Sequence, residues 1–167
     1  MVLLLVPALM LLPAGCANRT ADEGTEGPSP LYVDPEFAYL AFYDAGEFRL
    51  FTTFFRIRNE LDDEIGPFYV KYIFHDDTLV ENMTMRRKEY ASHRDFGSEL
   101  IRLPSGETYQ SGHIFVAEDN PNLEDILRNE VGPERILEIQ FIARDKDKDK
   151  ALASCRVDTL EFVGEAS

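Results

Sequence analysis

The chain has 167 residues, 44% of them hydrophobic, which is enough for one domain with a core of its own. Acids outnumber bases 31 to 17 and the net charge is −14. Such a surface repels phosphate backbones and anionic lipid heads, so nucleic acid is not an expected partner.

Residues 2–14, VLLLVPALMLLPA, carry no charge and no polar side chain. Thirteen apolar residues are too few to span a bilayer, which needs about 20. They suit the apolar core of a secretory signal, which runs about 7–15 residues. Ala14 and Gly15 then supply the small side chains that a signal peptidase admits. The ending Leu11-Leu12-Pro13-Ala14-Gly15-Cys16 resembles the lipobox of bacterial lipoproteins. That resemblance implies cleavage before Cys16, a diacylglycerol on its sulfur, and residence in the bacterial cell envelope. Two acyl chains make a stable anchor where one is marginal. Ala17, next to the cysteine, resembles the outer-membrane sorting class where the host is diderm.

Residues 17–33 are rich in Gly, Pro, Ser, Thr and acids and cannot bury themselves, so 16–33 reads as the lipidated cysteine plus a flexible tether. The folded domain is expected over 34–167. Within it, 37–44 and 48–59 alternate apolar and polar residues and predict two strands. Residues 60–67 form a polar turn closed by Gly66-Pro67. In 68–74, Phe68, Val70, Tyr72 and Phe74 share a face, and the mixed opposite face predicts a strand central to its sheet. TLVENMTM (78–85) is expected as a short strand with Leu79, Met83 and Met85 inward. Residues 86–98 are charged and irregular; they hold the one basic cluster, Arg86-Arg87-Lys88.

Strands follow at 99–103 and 108–117, around a turn at Pro104-Ser105-Gly106. Gly112, midway along the second, predicts a bulge or a close backbone approach. The single good helix signal lies over 119–132, with Asn120 as N-cap, Pro121 at the first helical position, and Gly132-Pro133 as its stop. Strands over 135–144 and 155–163 complete the chain, joined by the charged loop 145–154. Seven to eight short strands with one helix in a crossover predict an all-β, antiparallel β-sandwich. The stretches RIRNELDDEIGPFYVKYIFHDD and LPSGETYQSGHIFV resemble immunoglobulin-like domains of bacterial extracellular lipoproteins, the telokin-like and FxLYD types. Asn59, Leu103, Pro104, Gly106, Glu107 and Phe115 occupy the positions that carry the likeness, and Asn59 is expected to tie a strand end by backbone hydrogen bonds.

Chemistry is sparse. No nucleophile elbow, Walker loop or dinucleotide fingerprint is present, so neither catalysis nor a cofactor is expected. His75-Asp76-Asp77 at a strand end and His93 nearby offer metal or small-ligand donors, which is the alternative reading of the chain. The three histidines lack any helical pair spacing. Asp145, Asp147 and Asp149 have calcium-loop spacing, but Lys150 stands in place of the turn glycine and Arg156 in place of the bidentate acid, which favours a solvated loop. If Cys16 is lipidated, Cys155 lacks a partner in the chain; burial as a free thiol is favoured over a disulfide to another protein. The expected function is therefore a lipid-anchored, non-catalytic envelope protein whose sandwich binds another protein, through a face, a sheet edge or the 86–98 segment.

Overall fold

The computed structural model describes residues 29–46, 48–132, 136–144 and 148–164. Two sheets pack face to face as a β-sandwich. The first holds β1 (Leu31–Val33), β2 (Tyr39–Asp44), β3 (Arg49–Asn59), β7 (Thr108–Val116) and β10 (Leu160–Gly164). The second holds β4 (Ile65–Phe74), β5 (Glu89–Ala91), β6 (Ile101–Leu103), β8 (Leu137–Arg144) and β9 (Asp149–Val157). Among the described residues a 3-10 turn (Pro35–Phe37) and three short α-helices lie between strands: α1 (Asp77–Glu81), α2 (Ser92–Asp95) and α3 (Leu123–Glu130). The order β2-β3-β7 in one sheet and β5-β4-β8-β9 in the other is the strand division of immunoglobulin-type domains. α3 lies in the crossover that carries the chain from β7 to β8, as the helix signal predicts.

The alternation seen in sequence sets the core. Leu40, Phe42, Phe51, Phe55, Ile57 and Phe115 point inward from the first sheet; Phe68, Val70, Tyr72, Phe74, Ile139 and Phe141 point inward from the second. β4 is central, with β8 on one side and β5 and β6 on the other. Phe115 is the hub of an aromatic cluster, its ring centroid 5.0–5.6 Å from those of Phe74, Tyr90, Phe96 and Tyr72. Edge-to-face pairs of this kind add to the burial of area.

Asn59 ends β3 as expected. Its side chain is fully buried, donates from Nδ2 to the carbonyls of Asp63 (2.7 Å) and Leu103 (2.9 Å), and accepts at Oδ1 from the Leu61 amide (2.9 Å). Gly106, at φ +71°, makes the facing turn, and its amide donates to the Asn59 carbonyl. Gly112 marks a close approach with no bulge: a Cβ there would lie 2.3 Å from the Thr53 carbonyl oxygen.

Several expectations are corrected. The sandwich begins at β1, inside the stretch read as tether, because Leu31 and Val33 bury against β3. Residues 77–81 are helix, not strand: Asp76 caps α1 by accepting from the Leu79 amide, and Leu79, Val80 and Met83 recur at helical spacing on one buried side. Met85, expected inward, is exposed. The segment 86–98 is ordered by β5 and α2. β4 starts at Ile65 and absorbs Gly66-Pro67, with a register shift before Phe68. α3 starts at Leu123 after Asn122, two residues later than the Asn120 cap implies; Asn120 instead accepts from the Asn122 amide. The last predicted strand splits at Asp158-Thr159, so β9 stays in the second sheet while β10 crosses to pair with β2 in parallel. β9 also reaches back to Asp149, into the stretch read as loop. The described strands number ten, and one pair is parallel.

Candidate functional site

The four donors singled out in sequence do not converge on a common point among the described residues. Asp76 caps α1. Asp77 is exposed and pairs with Lys88 at 2.6 Å. His75 sits past the end of β4 with Nε2 3.5 Å from Glu138 Oε2, without a hydrogen bond. His93, on α2, packs its ring 4.4 Å from that of Tyr69. Among the described residues no group of three or more His, Cys, Asp or Glu converges as a metal site would require. Asp145 and Asp147 lie outside the described residues. Asp149 accepts a hydrogen bond from Tyr69 Oη at 2.8 Å; burial and that carboxylate push the Tyr69 phenol up to about 12.

Cys16 and the leader lie outside the described residues. Cys155 is buried in β9, as expected, but it is disulfide-bonded, which corrects the free thiol read from sequence. Its alternating place on an inward face gave no signal of that bond. No helix among the described residues is long and apolar enough to cross a membrane.

A polar cluster missed in sequence joins the two sheets. His113 on β7 points inward, its Nδ1 2.6 Å from Tyr72 Oη on β4 and its Nε2 3.1 Å from Ser98 Oγ. Its amide donates to Thr53 Oγ1 at 3.2 Å, and the Phe96 ring packs 4.7 Å away. Burial holds the imidazole below its ordinary pKa and pushes the Tyr72 phenol well above its own. The order Ser98–His113–Tyr72 has the connectivity of a nucleophile and base. However, the Ser98 amide is spent on the Ser92 carbonyl, and so offers nothing to a developing oxyanion. The cluster pins the 96–98 loop across both sheets.

Asp95 anchors the neighbouring segment. Its carboxylate, 7% exposed, accepts from the Ala91 amide (2.7 Å) and pairs with Arg87 and Arg94. Burial alone would raise its pKa, but the amide and the two guanidinium groups outweigh it and hold the carboxyl at about 2.

The remaining feature is the open side of β7. Antiparallel pairing with β3 uses the odd-numbered residues: the Ala117 amide donates to the Arg49 carbonyl, and 115, 113, 111 and 109 follow in the same register. The even-numbered residues therefore aim their N–H and C=O groups away from β3. Thr84 takes the Val116 carbonyl at 3.0 Å. Gln110, Gly112 and Ile114 have no backbone partner among the described residues. Beside them lies an apolar pocket of about 200 Å³ lined by Met83, Met85, Tyr90, Phe96, Ile114 and Phe115. The outward side of this sheet is apolar in its neighbourhood too, with Val163, Tyr43, Leu50 and Val116 in one cross-strand row. The strand over 108–117 was legible in sequence; that no second strand pairs with it among the described residues was not.

No family model matches the chain, and none of the curated proteins or solved structures compared with it does either.

Proposed function

We propose that this chain is an exported bacterial envelope lipoprotein, held to the membrane through lipid on Cys16, whose β-sandwich is a non-catalytic domain that binds another envelope protein. The observation that carries the export is the uncharged apolar run 2–14 ending in Ala14-Gly15-Cys16. A disulfide at Cys155 supports it, since such bonds persist in oxidising compartments outside the cytosol. In a diderm host Ala17 favours the outer membrane. The protein-binding role is favoured by the open strand edge beside an apolar pocket, and by the engagement of Asp76 and Asp77 with the Leu79 amide and Lys88. The alternative, a metal or small-ligand binder using His75, Asp76, Asp77 and His93, lacks a common centre among the described residues.

The Cys155 disulfide favours a second reading of the anchor. The chain has two cysteines, so a bond within the chain and a thioether on Cys16 exclude one another. An exported, unlipidated protein is then the competing form. Intact mass of the native protein, with and without reduction, separates the two. A chain starting at Cys16 with added glycerolipid, and loss of membrane retention in Cys16→Ser, are expected for the lipoprotein. A lipid-free chain that binds two more thiol-blocking groups only after reduction would refute the anchor and leave export standing. Photo-cross-linking in the native envelope tests for the partner; recovery of the monomer alone would refute the binding role.

A further inference from the structure

We infer that the β7 edge is a strand-addition site: it takes an extended segment of another polypeptide, which pairs with the backbone of Gln110, Gly112 and Ile114 and sets an apolar side chain in the adjoining pocket. This deepens the protein-binding reading and rests on it.

Exposed sheet edges are templates for further strands, and soluble proteins guard them with charge, proline, bulges or short length. The other edges of this sandwich carry such guards. β5 and β6 have three residues each, with Glu89 in one and Arg102 in the other. β10 has five and carries Glu161; β9 carries Asp149, Lys150 and Arg156. β7 has none: TYQSGHIFV is nine residues long, with no charge, no proline and an unbroken register against β3. In immunoglobulin-type sheets a further strand lies beside this one. Here the chain between β4 and β7 forms α1, β5, α2 and β6 and leaves that lane empty beyond the contact at Thr84.

The unpaired groups define the occupant, because alternate N–H and C=O groups at strand spacing are matched by another extended backbone. Affinity then comes from the main chain and selectivity from the pocket. Met83, Tyr90, Phe96 and Phe115 suit one aliphatic or aromatic side chain, and exposed Ile114 and Met85 extend the apolar contact. At the other end of the edge the neighbours are polar: Arg56, which also pairs with Asp34, reaches Gln110 Oε1 at 3.2 Å, and Arg58, which pairs with Glu60, lies opposite Thr108. The occupant is thus apolar at the Ile114 end and polar at the Arg56 end. A second copy fits poorly. Edge-to-edge pairing would bring together two bodies of charge −14 each.

The test pans the purified protein against a library of linear nine-residue peptides and follows amide exchange by NMR. In free protein, Gln110, Gly112 and Ile114 should exchange fast while Ser111, His113 and Phe115 are protected. A selected peptide at saturation should slow the three fast amides at least tenfold. N-methylating alternate peptide amides, or the Ile114→Lys variant with unchanged circular dichroism, should weaken binding at least tenfold. Protection of the three amides in free protein overturns the proposal: if it rises with concentration the occupant is a second copy, and if it does not the edge is already covered. Selected peptides that leave these amides fast also overturn it, while the protein-binding reading survives at another surface. A library that yields no binder overturns it too, and cross-linking in the envelope then decides the binding role by itself.

Discussion

Replacing Asn59 by Ala removes three hydrogen bonds at once. The side chain is fully buried and holds the Asp63 and Leu103 carbonyls and the Leu61 amide, so the variant leaves three backbone groups without their partner. Each bond contributes about 0.5–1.5 kcal/mol net, and a buried group left unsatisfied costs about 1–3 kcal/mol. The Asp63 and Leu61 bonds are partly buried, so water replaces some of their loss; the Leu103 carbonyl is buried and has no such rescue. The expected loss is about 3 kcal/mol, a large share of the ~5–15 kcal/mol that holds a domain of this size. With a urea m-value near 2 kcal/mol/M, the midpoint should fall by about 1.5 M with the slope unchanged. The chain has no tryptophan, so unfolding is followed by far-ultraviolet circular dichroism. Asn59→Asp sharpens the test. It keeps the acceptor for Leu61 but sets a carboxylate against two carbonyls, so at pH 7 it should lose at least as much as Ala. Part of that loss should return as the carboxyl protonates in acid and regains one donor. A shift below about 0.3 M for the Ala variant would refute the view that this one amide closes the β3 end.

Gly112→Val should destabilise the domain by several kcal/mol or prevent folding, because its Cβ would press on the Thr53 carbonyl; soluble yield and thermal melts check this. His113 is held neutral by burial, so the unfolded chain takes up its proton first as pH falls. Stability should therefore decline as pH drops below about 6.5, and His113→Asn should remove that slope in urea titrations at pH 7 and pH 5. Asp95 has the opposite chemistry and the same sign: its pKa lies below the unfolded value, so its contribution is full above about pH 4 and lost as pH falls through about 2. Asp95→Asn should flatten the acid limb of the stability curve in that window. Leu127→Ala, deleting a buried anchor of α3, should cost about 2–4 kcal/mol by calorimetry.

Much of the scaffold was written in local pattern. The alternation of Phe51, Phe55 and Ile57, and of Phe68, Val70, Tyr72 and Phe74, gives the inward faces because successive strand residues point to opposite sides. Asn59 and Gly106 announced the turn they build, and Leu123 and Leu127 the helix face. Local pattern misled where two periods overlap: Leu79 and Met83 fit a strand as well as a helix, and the Asp76 cap, with Val80 beside them, settles the matter. The sequence by itself determined which residues seek the interior and which end an element, since those preferences act within a few positions. Tertiary structure decided that β10 runs parallel to β2, that His113 meets Tyr72 and Ser98, and that β7 has β3 as its one strand neighbour among the described residues. Each of these depends on which distant segments pair, and a strand's own residues read the same whether one of its edges is matched or both.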